Sequence, residues 1–272
     1  MPGKGTGHSG VITFNNMVRP KKHLGQHFLH DENIARKIIS SIPYEPRLLL
    51  EIGPGTGILS KYLLEDPAWD TYFMEIDREA ASWLLEKYPS IKNRLILGDF
   101  LKHDLEQFDG PMSLVGNFPY NISSQILFKA ISYRDKVRNI VGMFQKEVAE
   151  RIIQGPGNKT YGILSVITQA FYETEYLFTV GESVFSPPPK VKSAVIRLKR
   201  NSRAYLDCDE TLFFRLVKTA FNQRRKTLRN ALKPLIYALP GTDQLPFLDK
   251  RAEQLSVNDF IHLAGLIQQT KV

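Results

Sequence analysis

The sequence predicts an α/β protein, a doubly wound and mostly parallel sheet with an antiparallel edge, followed by a small all-helical C-terminal part. Three observations carry this. Short apolar runs alternate with amphipathic segments at helical spacing between Leu48 and Ile153. A Gly-x-Gly-x-Gly turn, Gly53 to Gly57, follows directly on the first of those runs. Two β-rich runs, Phe171–Val180 and Ala194–Leu198, then close the alternation.

Taken in order, Asp31 is a good N-cap for a helix whose apolar face is Ile34, Ala35, Ile38 and Ile39, and Pro43 stops it. Leu48–Ile52 reads as a strand and Ile58–Glu65 as a helix, then Thr71–Glu75 as a strand and Arg78–Tyr88 as a helix. Leu95–Leu97 is a short strand, and Met112–Val115 a further one. Ile122–Ile131 is a helix, Ile140–Phe144 a strand, and Glu147–Ile153 and Ile163–Gln169 helices on either side of Gly155-Pro156-Gly157. A boundary falls between Arg200 and Asp207. Beyond it, Leu212, Phe213, Leu216, Val217, Ala220 and Phe221 mark one face of a helix, and Ser256 caps a last helix through Phe260, Ile261, Ala264 and Ile267. The expected division is a leader or disordered tail over 1–16, a catalytic domain over 17–200 and a helical domain over 201–272.

Composition narrows the class. The 272 residues are 43% hydrophobic and 24% charged, an ordinary globular balance. No apolar run has the length of a bilayer crossing. Residues 1–16 are glycine-rich without an apolar h-region, unlike a secretory signal. Thirty-six Lys and Arg against 28 Asp and Glu leave a net charge of +8, which favours a polyanionic partner. One cysteine, Cys208, excludes an internal disulfide and fits a reducing cytoplasm. The six histidines have no metal-ligand spacing, so no metal site is expected.

The glycine turn is where the chemistry starts. In Gly53-x-Gly55-x-Gly57 the third glycine comes one residue early for a dinucleotide-phosphate loop, which prefers G-x-G-x-x-G. Glu51 just before them would set negative charge beside a pyrophosphate, an environment better suited to a cation such as the sulfonium of S-adenosylmethionine. Glu75 ends the second strand, 18 positions after Gly57, where a carboxylate meets ribose hydroxyls; a surface carboxylate near the Asp77 helix start is the alternative. Asp99, in Gly98-Asp99-Phe100, can accept from an adenine amine with Phe100 as an apolar wall, or belong to an ordinary turn.

Asn117-Phe118-Pro119-Tyr120 follows the Met112–Val115 strand. An exocyclic aromatic amine is a poor nucleophile because its lone pair is delocalised into the ring. The Asn117 amide oxygen and the Phe118 carbonyl, both accepting from that NH2, favour a pyramidal nitrogen. Pro119 stiffens the loop, and Tyr120 stacks on the base. Alone, the tetrapeptide also reads as a turn; its place beside the glycine strand favours chemistry. A base could be held between Tyr120 and Phe185, in Phe185-Ser186-Pro187-Pro188-Pro189-Lys190-Val191, a stiff segment that otherwise reads as a rigid linker. Gly25-Gln26-His27-Phe28-Leu29, after Lys21 and Lys22, forms a short arm able to fold over the crevice. Arg224, Arg225, Lys226 and Arg229 crowd two expected helical turns with no acid among them, a phosphate-binding surface rather than a merely solvated face.

Together these residues resemble the small-subunit ribosomal RNA adenine dimethyltransferases, the KsgA/RsmA family. The ordered set is Lys22-x-x-Gly25-Gln26-x-Phe28-Leu29, Glu51-Ile52-Gly53-x-Gly55-x-Gly57, Glu75-x-Asp77, Gly98-Asp99, Asn117-x-Pro119-Tyr120-Asn121-Ile122-Ser123, Phe144-Gln145-Lys146-Glu147, Phe185-x-Pro187-Pro188-Pro189-Lys190-Val191 and Phe221-Asn222-Gln223-Arg224-Arg225-Lys226. The resemblance implies a Rossmann-like methyltransferase fold and transfer of four methyls to N6 of two adjacent adenosines in the 3′-terminal hairpin of small-subunit rRNA. S-adenosylhomocysteine would be the product and a pre-assembled small subunit the partner, met late in ribosome assembly by a monomeric cytoplasmic enzyme. It assigns cofactor contacts to Gln26, His27, Leu29, Gly53, Gly55, Gly57, Glu75, Ile76, Asp99, Phe100 and Asn117. Catalysis falls to Asn117, Phe118, Pro119 and Tyr120, base stacking to Tyr120 and Phe185, and RNA contact to Lys21, Lys22, Lys190, Arg224, Arg225, Lys226 and Arg229. His27 stands where many members carry Asn, and Phe118 where an aliphatic residue is commoner. A sister class that methylates large-subunit rRNA, and an assembly factor with a vestigial fold, are the rival readings.

Overall fold

The computed structural model describes residues 18–237 and 239–270; the leader expected over 1–16 lies outside them. Strand β1 (Phe28–Leu29) and helix α1 (Glu32–Ile39) precede the sheet proper. Strands β2 (Leu48–Ile52), β3 (Asp70–Glu75), β4 (Leu95–Leu97), β5 (Met112–Asn117) and β6 (Val137–Gln145) follow, with α2 (Ile58–Glu65), α3 (Arg78–Lys87) and α4 (Ser123–Ser132) between them. Then come α5 (Lys146–Ile153), α6 (Ile163–Phe171), β7 (Tyr172–Val180), β8 (Phe185–Ser186) and β9 (Ser193–Arg200). Helices α7 (Glu210–Asn222), α8 (Leu228–Ala231), α9 (Lys233–Ile236) and α10 (Val257–Gln269) complete the chain.

Seven strands form one sheet in the order β4-β3-β2-β5-β6-β9-β7. The five from β4 to β6 are parallel, and β9 runs antiparallel between β6 and β7. Strand alternation divides the core into two layers. Leu49, Val115 and Val141 face Ala35, Ile38, Leu59 and Leu63 of α1 and α2. Leu50, Leu114 and Ile140 face Ile126, Leu127 and Ala130 of α4 and the helices beyond. Local signals behave as the residues dictate: Asp31 accepts from the Asn33 and Ile34 amides, Asp77 from Glu79, and Ser256 closes a capping box with Asp259.

Two features depart from expectation. A second, two-stranded sheet pairs β1 with β8 antiparallel, Phe28 opposite Ser186 and Leu29 opposite Phe185. The basic cluster is not on continuous helix: α7 ends at Asn222, residues 223–226 are turn and bend, Thr227 makes an isolated antiparallel bridge to Arg251, and the single helical turn of α8 follows. Phe213, Leu216, Leu228, Leu232 and Phe260 join the same buried cluster as Leu114 and Phe171, so helices and sheet share one core.

That continuity is testable. Phe213→Ala removes a fully buried ring and should cost about 3–5 kcal/mol. Fluorescence of Trp69 and Trp83, both before Arg200, and far-UV circular dichroism should shift to lower denaturant together. Separate transitions would mean that the helices fold on their own.

Candidate active site

Chain order reverses on either side of β2, so the loops after β2, β3, β4 and β5 open a crevice at the carboxyl edge of the sheet. The crevice is a concave pocket lined by Ile52, Gly53, Gly55, Glu75, Asp99 and Asn117, the kind of place where small molecules bind. Its floor is the glycine loop. Gly53 and Gly55 have φ of +67° and +56°, a region costly for any residue with a side chain. A Cβ on Gly55 would lie 2.8 Å from Phe28 Cε1, so the loop runs flush beneath the N-terminal arm.

Glu75 is buried at the back wall. One oxygen accepts from the Gly55 amide at 2.9 Å and the other from the Asp77 amide at 3.0 Å. Burial raises its carboxyl above the ordinary value, and those two amides pull it back. Asp99 accepts from the Leu101 amide at 2.9 Å and lines the crevice beside Phe100 and the exposed Ile76. Asp99 thus shapes a turn and also lines the cavity.

The Asn117–Tyr120 loop forms the opposite wall. Asn117 Nδ2 donates to the His27 carbonyl at 2.8 Å. A carbonyl only accepts, so the amide is oriented with its Oδ1 left free for a donor. Tyr120 stacks on His27, ring centroids 5.3 Å apart, and its hydroxyl lies 2.5 Å from Ser193 Oγ. Burial raises the phenol above its ordinary value, so Tyr120 is neutral. His27 Nδ1 donates to the Pro187 carbonyl at 2.8 Å. A second groove meets the crevice at Gly25, Gln26, His27 and Tyr120, and is walled by Pro187, Pro188, Pro189, Lys22 and Lys190.

Among the described residues, no Lys or Arg lines the crevice. A phosphate-bearing ligand would meet no counter-charge there. A buried carboxylate, a second carboxylate and an apolar wall fit an adenine nucleoside that carries positive charge.

The profile described as ribosomal RNA adenine dimethylase matches residues 17–268. The chain belongs to that family. The ribosomal RNA small subunit methyltransferase A of Cytophaga hutchinsonii is 54% identical over 253 residues, covering 92% of this chain and 98% of that protein. The Bacteroides fragilis protein of the same name is 53% identical over 257 residues, 93% of this chain and 94% of its own. A dimethyladenosine transferase from Plasmodium falciparum superposes with a TM-score of 0.75 at 27% identity, over 90% of this chain and 99% of that one. The 23S rRNA methyltransferase ErmE shares the fold, with a TM-score of 0.66 at 23% identity over 89% and 99% of the two chains.

Within this member of the dimethylase family, several expected contacts are placed elsewhere. Leu29 is buried in the core with Ala35 and Ile38, and Gly57 caps α2, where a Cβ would strike Leu84 and Tyr88. Phe185 is 2% exposed in the same layer as Leu29 and lines neither groove, so it cannot sandwich a base against Tyr120 as placed. Glu51 lies fully buried behind the loop, accepting from Ser60 Oγ at 2.7 Å. Burial pushes its carboxyl up to about 8, so it is neutral at pH 7 and supplies no charge to the crevice.

Three of the expected RNA cations already have acidic partners. Lys21 pairs with Asp77 and lies 3.5 Å from Glu79; Gln26 also bonds Asp77, and the arm is thereby tied to the start of α3. Arg224 donates to Glu253 at 2.6 Å and to the Tyr161 and Asn158 carbonyls, clamping the 155–161 loop onto the helical part. Arg229 meets Asp249 at 3.2 Å in a solvent-exposed pair, the kind that contributes little. Lys22, Lys190, Arg225 and Lys226 are exposed. Sequence reasoning missed Lys129, whose ammonium donates to the Leu101 and His103 carbonyls and so fixes the loop that carries Asp99. No spacing signal marks such a contact.

Glu51 gives a signed prediction. Its folded-state value lies above the unfolded one, so wild-type stability is full below about pH 4.5 and is lost as pH rises toward 8. Glu51→Gln does not titrate. Its stability relative to wild type should climb between pH 5 and pH 8, by up to about 1.4 kcal/mol per pH unit. Urea unfolding at the two pH values checks this, and a pH-independent difference would mean Glu51 is charged in the fold.

Proposed function

We propose that this chain transfers methyl groups from S-adenosylmethionine to N6 of two adjacent adenosines in the 3′-terminal hairpin of small-subunit rRNA, acting on a pre-assembled subunit late in its biogenesis. One observation carries the reading. The Asn117 amide has its nitrogen bound to the His27 carbonyl, so an acceptor faces the same crevice as Glu75 and Asp99.

When bound, S-adenosylmethionine supplies an electrophilic methyl on a sulfonium. The chain does the rest by placement. Glu75 is positioned for a ribose diol and Asp99 for the adenine amine, with Phe100 and Ile76 flanking that ring. Asn117 Oδ1 and the Phe118 carbonyl accept from the target amine, which draws its lone pair out of conjugation. Tyr120 offers the face not covered by His27 to the target base. No protein base is required, because an alkylated aromatic ammonium is acidic enough to lose its proton to water. The rate gain then rests on orientation and fixed dipoles. The second groove, with Lys22 and Lys190 on its walls, is where the RNA strand enters. Identity above half to small-subunit enzymes, against a fold-level likeness to ErmE, favours the small-subunit substrate.

Asn117→Ala should abolish methyl transfer to immature small subunits while leaving S-adenosylmethionine affinity within about tenfold, because alignment at the transition state is what is lost. Calorimetry beside mass spectrometry of the rRNA separates the two effects. A comparable fall in cofactor affinity would make Asn117 chiefly a cofactor contact.

Arg225 and Lys226 are exposed and Arg224 is not free, so the RNA-facing pair is Arg225 with Lys226. Neutralising both should weaken RNA binding and flatten its log–log salt dependence by about two units. An unchanged slope would move the RNA surface elsewhere.

A further inference from the structure

We propose that Gly142, together with its register partner Gly116, is a positioning residue for the Asn117–Tyr120 loop. The two glycines form a flat seat on which the Phe118 ring rests, and the seat sets where the Asn117 amide and Phe118 carbonyl stand. This rests on the reading of that loop as the amine-binding element.

Gly116 and Gly142 lie opposite each other on the adjacent parallel strands β5 and β6. By alternation they share a face with Leu114, Ile140 and Phe144. A Cβ on Gly142 would lie 2.2 Å from Phe118 Cε2 and 2.7 Å from Cδ2. A Cβ on Gly116 would lie 2.9 Å from Cε1 and 3.0 Å from Cδ1 of the same ring. The ring therefore spans both residues, one edge over each strand. Phe144 closes the end edge-on, centroids 5.2 Å apart at 81°, and Phe118 is only 1% exposed.

Something must move if either glycine gains a methyl. Strand β6 is held on both sides, by β5 and by β9, and the interior around it is close-packed. The ring is the part that can yield, and it takes its own carbonyl and the neighbouring Asn117 with it. The two positions differ as probes. A Cβ on Gly116 would also strike the Ile52 carbonyl at 2.5 Å, so its substitution disturbs β2 as well. Gly142 has no positive φ and no backbone atom among the nearest three. Alanine is conformationally allowed there, and its effect is confined to the ring.

The test compares wild type, Gly142→Ala, the double variant Gly142→Ala/Phe118→Leu, and Gly181→Ala, an exposed control with nothing within 4 Å of its would-be Cβ. Methyl transfer to immature small subunits, S-adenosylmethionine affinity by calorimetry and thermal melting are measured for each. Gly142→Ala should lower kcat by about a hundredfold, the cost of roughly an ångström of misplacement, with cofactor affinity within about threefold. The double variant should recover at least tenfold of that loss, and Gly181→Ala should match wild type. Wild-type kcat in Gly142→Ala, or no recovery in a folded double variant, overturns the proposal. If Gly142→Ala alone does not fold, recovery of soluble active enzyme in the double variant supports the seat, and its failure to fold or turn over refutes it. Inactive wild type would instead sink the functional reading on which this rests.

Discussion

A hydrogen bond from Asn117 Nδ2 to the His27 carbonyl ties the N-terminal arm to the carboxyl end of β5. Because the partner can only accept, the bond also decides which atom of Asn117 is left for a ligand. The rest of the site is arranged so that this bond can exist. Lys21 and Gln26 hold the arm to Asp77, Phe28 lies against Gly55, and the Phe118 ring is seated between two strands. Each contact removes freedom from the arm or the loop, and orientation is the source of rate that such a site has available.

The electrostatics divide cleanly between the two openings. The crevice is acidic and apolar, with the carboxyl groups of Glu75 and Asp99 and no Lys or Arg among the described residues that line it. The adjoining groove carries Lys22 and Lys190. On the proposed function, this difference would sort a cationic nucleoside from an anionic polymer before any specific contact forms. Glu51, the acid nearest the glycine loop in sequence, takes no part, because burial keeps it neutral. Asp77 shows the reverse balance: burial works to raise it, but Lys21, the Glu79 amide and Gln26 together hold its carboxyl below the ordinary range.

Much of the sheet was legible because its central strands are buried on both faces and read as apolar runs bounded by turns. Leu48–Ile52, Ile58–Glu65 and Leu95–Leu97 fall where periodicity placed them. The glycine loop, Glu75, Asp99 and Asn117 stood out in the sequence for a different reason: each lies at or just past the carboxyl end of a strand, at the edge where ligands bind. What stayed hidden depended on partners distant in the chain. β1 and β8 have two residues each, too short for any period, and only their pairing defines them. Phe185 looked like a stacking residue, but its backbone pairing with Leu29 turns it into the core. Arg224 looked like one of several surface cations until Glu253 came beside it. Gly142 did carry a signal, a glycine inside an apolar strand, which marks a close approach; the ring that approaches could not be named without coordinates.

The β1–β8 ribbon couples the two openings. Its first strand roofs the nucleoside chamber, and its second opens the proline wall along which a polynucleotide would lie. A ribbon of two rungs has little stability of its own; it persists because both strands are anchored to the body of the protein. On the proposed function, nucleoside and polynucleotide would meet at this one ribbon, and turnover on a retained strand would require its first strand to give way while its second stays in place.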